Sequence, residues 1–252
     1  MNIKKHIPNA ITLANLFCGC LALVRSFEGN LVWAAYLVGI ALICDFLDGF
    51  TARLLKVTSP IGKDLDSLAD MVTFGVVPGI VLYHCIYFSL YADDSGAFNQ
   101  YRMDPNPTSF YLPYLAFTVI VFSAIRLAKF NNDTRQTESF IGLPTPANAA
   151  VICSIPLINQ WMGNKDQINL ILANPFFLIG LGFVLSVLLV SNIPLFALKF
   201  KNFSWADNQI KYLFLILSVG LILAVKILAI PLIVILYILM SIVNNIFLKK
   251  KV

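Results

Sequence analysis

The chain has 252 residues, of which 59% are hydrophobic and 12% charged, and its formal net charge is +5. An average soluble domain carries about 25% charged residues, and no soluble globule of this size hides 20 Phe together with so many Leu and Ile. These numbers exclude a disordered chain, a collagen-like chain and a disulfide scaffold. The composition leaves a polytopic membrane protein. Its long apolar runs show no alternation of period two, so helices are expected rather than a barrel.

A membrane helix needs roughly 20 apolar residues. In chain order the apolar runs predict eight spans, at 10–27, 31–55, 62–90, 109–129, 145–162, 171–198, 211–225 and 228–248. Residues 1–9 read as a short interfacial helix. Tyr91 to Thr108 is the longest polar break, and Lys226 with Pro231 divides the last apolar stretch into a tight helical hairpin. Asn192 and Pro194 are expected to kink the sixth span. His84 reads as a packed or interfacial histidine. The run contains no second domain, so 1–252 is expected to be a single integral membrane domain.

The five cysteines lie in apolar stretches, and an odd count of this size makes no disulfide framework. With only two histidines a zinc enzyme is not expected. Placing the N-terminus in the cytoplasm and alternating eight times puts 14 of the 18 Lys and Arg inside and 4 outside. This bias supports the even count, and it expects both termini on the cytoplasmic side of a plasma (inner) membrane. No RNA- or DNA-binding pattern accompanies the basic residues.

The informative segment is CDFLDGFTARLLKVTSPIGKDLDSLADMVTFGVVPG, from Cys44 to Gly79. Asp45 and Asp48 are three apart at the cytoplasmic end of the second span, and Asp66 and Asp70 are four apart in the third. Each pair therefore falls on one helix face. The break at Thr58-Ser59-Pro60 makes the two helices antiparallel neighbours. Four carboxylates this close repel one another, and ionisable groups within spans are costly and mostly functional. All-oxygen donors favour Mg²⁺, Mn²⁺ or Ca²⁺, and a two-metal carboxylate site suits displacement at phosphorus. Gly49 and Ala52 share the face of the first pair, and Gly62 precedes Asp66 by one turn, so backbones or a flat ligand approach closely. Arg53 near this face is placed for a phosphate oxygen or for a carboxylate.

The pattern D-x-x-D-G-x-x-A-R, eight residues, then G-x-x-x-D-x-x-x-D occupies 45–70 as Asp45, Asp48, Gly49, Ala52, Arg53, Gly62, Asp66 and Asp70. It resembles the signature of the CDP-alcohol phosphotransferase family at all eight positions. Within that family, the stretches Ile7–Leu23, Leu65–Gly79 and Ala124–Ala149 resemble membrane-embedded phosphatidylserine synthases. The resemblance implies an all-α membrane fold of about eight helices and a reaction of CDP-diacylglycerol with L-serine. It implies two divalent ions, Mg²⁺ or Mn²⁺, on Asp45, Asp48, Asp66 and Asp70, with Asp70 also the general base. It further implies that Gly49, Ala52 and Gly62 line the liponucleotide site, and that the protein is a homodimer.

The acceptor needs a carboxylate binder. Arg126, a lone cation ending an apolar span, reads either as snorkelling to the interface or as a bidentate clamp. The resemblance ranks it first and Arg135 next, with Lys129, Asn131 and Thr145 near them. Gly142-Leu143-Pro144-Thr145-Pro146 reads as a rigid element or as a plain turn and helix start. Two rivals remain: a transferase using glycerol 3-phosphate or inositol phosphate, and a divalent-cation transporter. Transport sites usually lie near mid-membrane at repeat interfaces, whereas these acids lie at one end of their helices.

Overall fold

The computed structural model describes residues 6–57, 60–91, 109–132, 139–162, 167–196 and 204–247. Helix α1 (His6–Phe27) is followed by α2 (Leu31–Leu55) and α3 (Pro60–Asp70). A π-helical turn, Met71–Val76, joins α3 directly to α4 (Val77–Tyr91). A 3₁₀ segment, Ser109–Phe117, leads into α5 (Thr118–Asn132), and strand β1 (Ser139–Ile141) precedes α6 (Thr145–Met162). Next come α7 (Gln167–Leu172), α8 (Pro175–Val190), strand β2 (Pro194–Phe196), α9 (Trp205–Val225) and α10 (Ala229–Phe247).

The helix limits follow local chemistry. Asn30 caps α2, its side chain accepting from the Trp33 amide at 3.3 Å. Lys56 ends that helix in the left-handed conformation, at φ 52°, a geometry in which glycine is the commoner residue. Asn174 caps α8 ahead of Pro175. Helix α1 buries Thr12, Asn15, Gly19, Ala22 and Ser26, spaced alternately by three and four residues. This stripe of small and polar side chains lets neighbouring backbones come close, as membrane helices require. A Cβ on Gly19 would run into the Thr73 hydroxyl of the π turn, and one on Gly79 into Ile120.

The chain belongs to the membrane. Five segments are long and apolar enough to cross it: His6–Phe27, Leu31–Leu55, Ile61–Tyr91, Phe110–Asn132 and Asn208–Ile246. The last is not one rod. Lys226 breaks it with φ 53° and ψ −119°. Phe214 and Tyr237, on opposite sides of that break, approach to 5.7 Å between ring centroids. The expected hairpin is therefore present. Helices α6 and α8 are shorter, so the count of eight passes is approximate there.

Three expectations need correction. The sixth span ends at Val190, and Pro194 begins β2 instead of kinking a helix. A proline lacks the donor that would continue a helix. The region 171–198 also breaks between α7 and α8 at Ala173 and Asn174. The N-terminal interfacial helix is not separate, because α1 runs unbroken from His6, while residues 1–5 lie outside the described residues. As expected, the acidic faces of α2 and α3 meet, through Asp45, Asp48 and Asp66, and α1 packs against both helices.

A cluster of aromatic residues around Tyr83 lies at the opposite end from the motif acids. His84 packs there against Phe27, Tyr83 and Phe88, at centroid distances of 6.5, 5.4 and 5.7 Å. This agrees with its expected structural role, and such belts mark a membrane interface. All five cysteines are free.

Candidate active site

The acids converge from separate elements. Carboxylate oxygens of Asp45 and Asp48 on α2 and of Asp66 on α3 all lie within 4.8 Å of one another. Among the described residues no lysine or arginine forms an ion pair with them, the ion pair found being Arg25–Glu28 at the other end of α1. The donor set is all-oxygen, anionic and partly to fully buried. It fits a hard divalent cation, which would relieve the repulsion that the chain itself leaves standing.

Asp70, the fourth acid, is not one of the three that converge. It is 9% exposed, lies within electrostatic reach of Asp45, Asp48 and Asp66, and accepts a 3.4 Å bond from the Asn15 side-chain amide. The π turn starts at the next residue. Such turns inside helices recur at functional sites, and this one displaces the helix beyond Asp70 by the room of an extra residue. It buries Thr73, whose hydroxyl donates to the Asn15 carbonyl at 3.3 Å.

Helix α1 supplies the residues that sequence reasoning missed. The Thr12 hydroxyl donates to Asp48 at 2.6 Å and also lies 3.1 Å from the Pro8 carbonyl. Thr12 and Asn15 thus hold one acid from each pair in place. Their signal was present in the alternating three- and four-residue stripe of α1, with two polar members among small ones. The side-chain oxygen of Asn15 is buried and has no partner. An unmet buried acceptor costs about 1–3 kcal/mol, a cost that ligand-binding sites commonly carry.

The small motif residues lie beside the acids. Gly49, Ala52 and Gly62 are half-buried, and Arg53 is exposed. The Arg53 guanidinium reaches back over Gly49, where a Cβ would stand 3.6 Å from Nη1. Helix α3 is anchored on its other side by α5: Lys63 donates to the Asn131 carbonyl at 3.0 Å, and Asn131 and Ser67 bond through their side chains. Asn131 thus ties α5 to α3. Lys129 is exposed.

Arg126 is 6% exposed, which rules out the snorkelling alternative. Its Nε donates to the Leu143 carbonyl at 3.0 Å, and its guanidinium lies 5.1 Å from the centroid of Phe130. It is within electrostatic reach of Asp70. The rigid reading of the Gly142 element also holds. Gly142 has φ +76°, and a Cβ there would meet the Leu189 and Ser191 carbonyls at 2.6 and 2.9 Å. Its amide donates to Ile193, and that of Leu143 to Leu188, both at 2.9 Å. Beyond it, the side chains of Thr145 and Asn148 are fully buried without hydrogen-bond partners among the described residues, as is Ser123 on α5. Arg135 lies outside the described residues.

A four-acid motif split over two membrane helices, held by polar residues of a third, defines a CDP-alcohol phosphotransferase. The chain belongs to that family: the CDP-alcohol phosphatidyltransferase model matches residues 5–188. Particular relatives point further. The chain is 31% identical to a CDP-diacylglycerol–serine O-phosphatidyltransferase of Helicobacter pylori, over 97% of this chain and 93% of the relative. It is 33% identical to the enzyme of the same name from Bacillus subtilis, over 56% of this chain and 70% of that one. An archaetidylserine synthase of Methanothermobacter thermautotrophicus is 32% identical over 62% of each chain.

Proposed function

We propose that the chain transfers the phosphatidyl group of CDP-diacylglycerol to the hydroxyl of L-serine, releasing CMP. The observation that carries this reading is the convergence of Asp45, Asp48 and Asp66 beside Asp70 and the buried Arg126. The relatives' names supply the acceptor, since bacterial and archaeal relatives named for different lipids are both named for serine.

Asp45, Asp48 and Asp66, with Asp70, would hold the divalent metal on which the family depends, as one or two ions of Mg²⁺ or Mn²⁺. Bound there, it supplies positive charge to the diphosphate of the liponucleotide. Gly49, Ala52 and Gly62 leave room for that substrate, and Arg53 is placed for a phosphate oxygen. Arg126 receives the serine carboxylate on its guanidinium fork, and Arg135 is a second candidate for the same role. The serine oxygen forms its bond to the lipid-bearing phosphorus, and the bond from phosphorus to the CMP oxygen breaks. Asp70 takes the hydroxyl proton as that bond forms, held by Asn15 in the required orientation. A phosphorylated acceptor would need more cationic lining than this. Among the described residues Arg126 is the buried cation.

In this reading residues 1–252 form one membrane domain, with the site and both termini on the cytoplasmic side of the plasma membrane, and the protein works as a homodimer. The test is CMP release by the purified protein with CDP-diacylglycerol and Mn²⁺ or Mg²⁺. Serine, glycerol 3-phosphate and inositol phosphate are offered separately, and Asp70→Asn runs in parallel. Release with serine alone, lost in the variant, is the expected result. Release with a different acceptor keeps the family and discards serine. No release from folded, metal-loaded protein overturns the enzyme reading.

A further inference from the structure

The segment beyond the matched family region ends in the hairpin α9–α10, and one face of α10 is fastened to β2 by three side chains. The Tyr237 hydroxyl donates to the Phe196 carbonyl at 2.8 Å. The Ser241 hydroxyl accepts from the Phe196 amide at 3.4 Å, and the Asn245 side-chain amide donates to the Pro194 carbonyl. The opposite edge of β2 pairs with β1, Ile141 against Pro194. The next two amides, of Gly142 and Leu143, are tied to Ile193 and Leu188. The Leu143 carbonyl then receives Nε of Arg126. Hydrogen bonds, joined by the short backbone stretches 141–143 and 193–196, thus link α10 to the Arg126 guanidinium.

A second route is shorter. Tyr237 is 9% exposed and within electrostatic reach of Arg126. With its proton committed to Phe196, the phenol oxygen offers the cation lone pairs only. The ring is wedged between Phe196 and Phe214, at centroid distances of 5.0 and 5.7 Å, so the hydroxyl has little freedom. Arg126 uses Nε on Leu143, and its terminal nitrogens have no hydrogen-bond partner among the described residues. A fork held at its stem by the Leu143 carbonyl, on a turn tied to β2, is preorganised for a carboxylate.

We infer that Tyr237, on a hairpin outside the matched family segment, is a positioning residue that aims Arg126 at the acceptor. The inference rests on the reading of Arg126 as the carboxylate binder, and the test separates the two. The full chain in detergent is compared as wild type, Tyr237→Phe, Arg126→Lys, Ser241→Ala and Ser218→Ala, the last a change on α9 away from β2. Steady-state rates give kcat and the KM for each substrate. The Nε–H resonance of ¹⁵N-arginine-labelled protein, assigned by its loss in Arg126→Lys, reports the guanidinium directly.

The expected result for Tyr237→Phe is a shifted Arg126 resonance and a serine KM raised about three- to tenfold, the range of one lost hydrogen bond, here that to Phe196. The kcat and the CDP-diacylglycerol KM stay as in Ser218→Ala, and the melting temperature falls by no more than in Ser241→Ala, which loses a bond to the same residue. An unmoved resonance overturns the inference, and so does a loss spread over kcat, both KM values and melting temperature. A moved resonance with serine KM unchanged in both Tyr237→Phe and Arg126→Lys keeps the positioning role and overturns Arg126 as the acceptor's binder.

Discussion

Thr12 and Asn15 act on the acids without belonging to the motif. Each fixes a carboxylate that would otherwise rotate away from its neighbours, Thr12 on Asp48 and Asn15 on Asp70. Groups that orient metal ligands typically change metal affinity by about 10–100-fold when removed. Thr12→Val is therefore expected to weaken Mn²⁺ binding by about tenfold, read from the free-ion signal in electron paramagnetic resonance. Asp48→Asn and Asp66→Asn should each reduce that binding much further, since a ligand itself is lost. At Gly19 the constraint is steric. A larger side chain meets Thr73 on the π turn, and Gly19→Val should destabilise the fold by about 1–3 kcal/mol, measured as a lower melting temperature in detergent.

At the scale of elements, the arrangement of α1, α2 and α3 explains how four acids coexist. Helix α1 lies against both α2 and α3, and two members of its buried stripe, Thr12 and Asn15, donate to Asp48 and Asp70. The π turn then carries the chain past Asp70 into α4 without a break. The small sheet has a comparable role. A two-stranded ribbon is marginal alone, and here α10 satisfies its free edge through Tyr237, Ser241 and Asn245. Ser241→Ala and Asn245→Leu should each cost about 1 kcal/mol. Faster amide exchange confined to 139–143 and 193–196 is the readout.

The whole molecule sorts its ends by chemistry. The acids, the sheet and the start of α6 gather at one end, and the aromatic cluster gathers with Asn30, Asn174 and Lys226 at the other. Lys226 there covers the Trp161 ring at 4.7 Å. In proteoliposomes of fixed orientation, single cysteines replacing Lys63 and Ala173 should react with an impermeant maleimide from opposite sides. Labelling of both from one side would refute the topology.

By itself the sequence determined the membrane class, the helical hairpin at Lys226 and the family. These are legible because they depend on composition, on local periodicity and on a motif whose spacing is set within two helices. His84 was read correctly for the same reason, as a lone polar group in an apolar run. Tertiary structure decided what distant segments do to one another. It packed α1 against both acidic helices, kept Asp70 apart from the three converging acids, and buried Arg126 against Leu143 where the sequence also allowed snorkelling. It also turned the expected end of the sixth span into β2, because Pro194 cannot prolong a helix while Ile141 and α10 offer its neighbours partners. Hydrogen bonds across 55 residues, as between Asn15 and Asp70, leave no periodicity in the chain, and only the packed helices bring them into being.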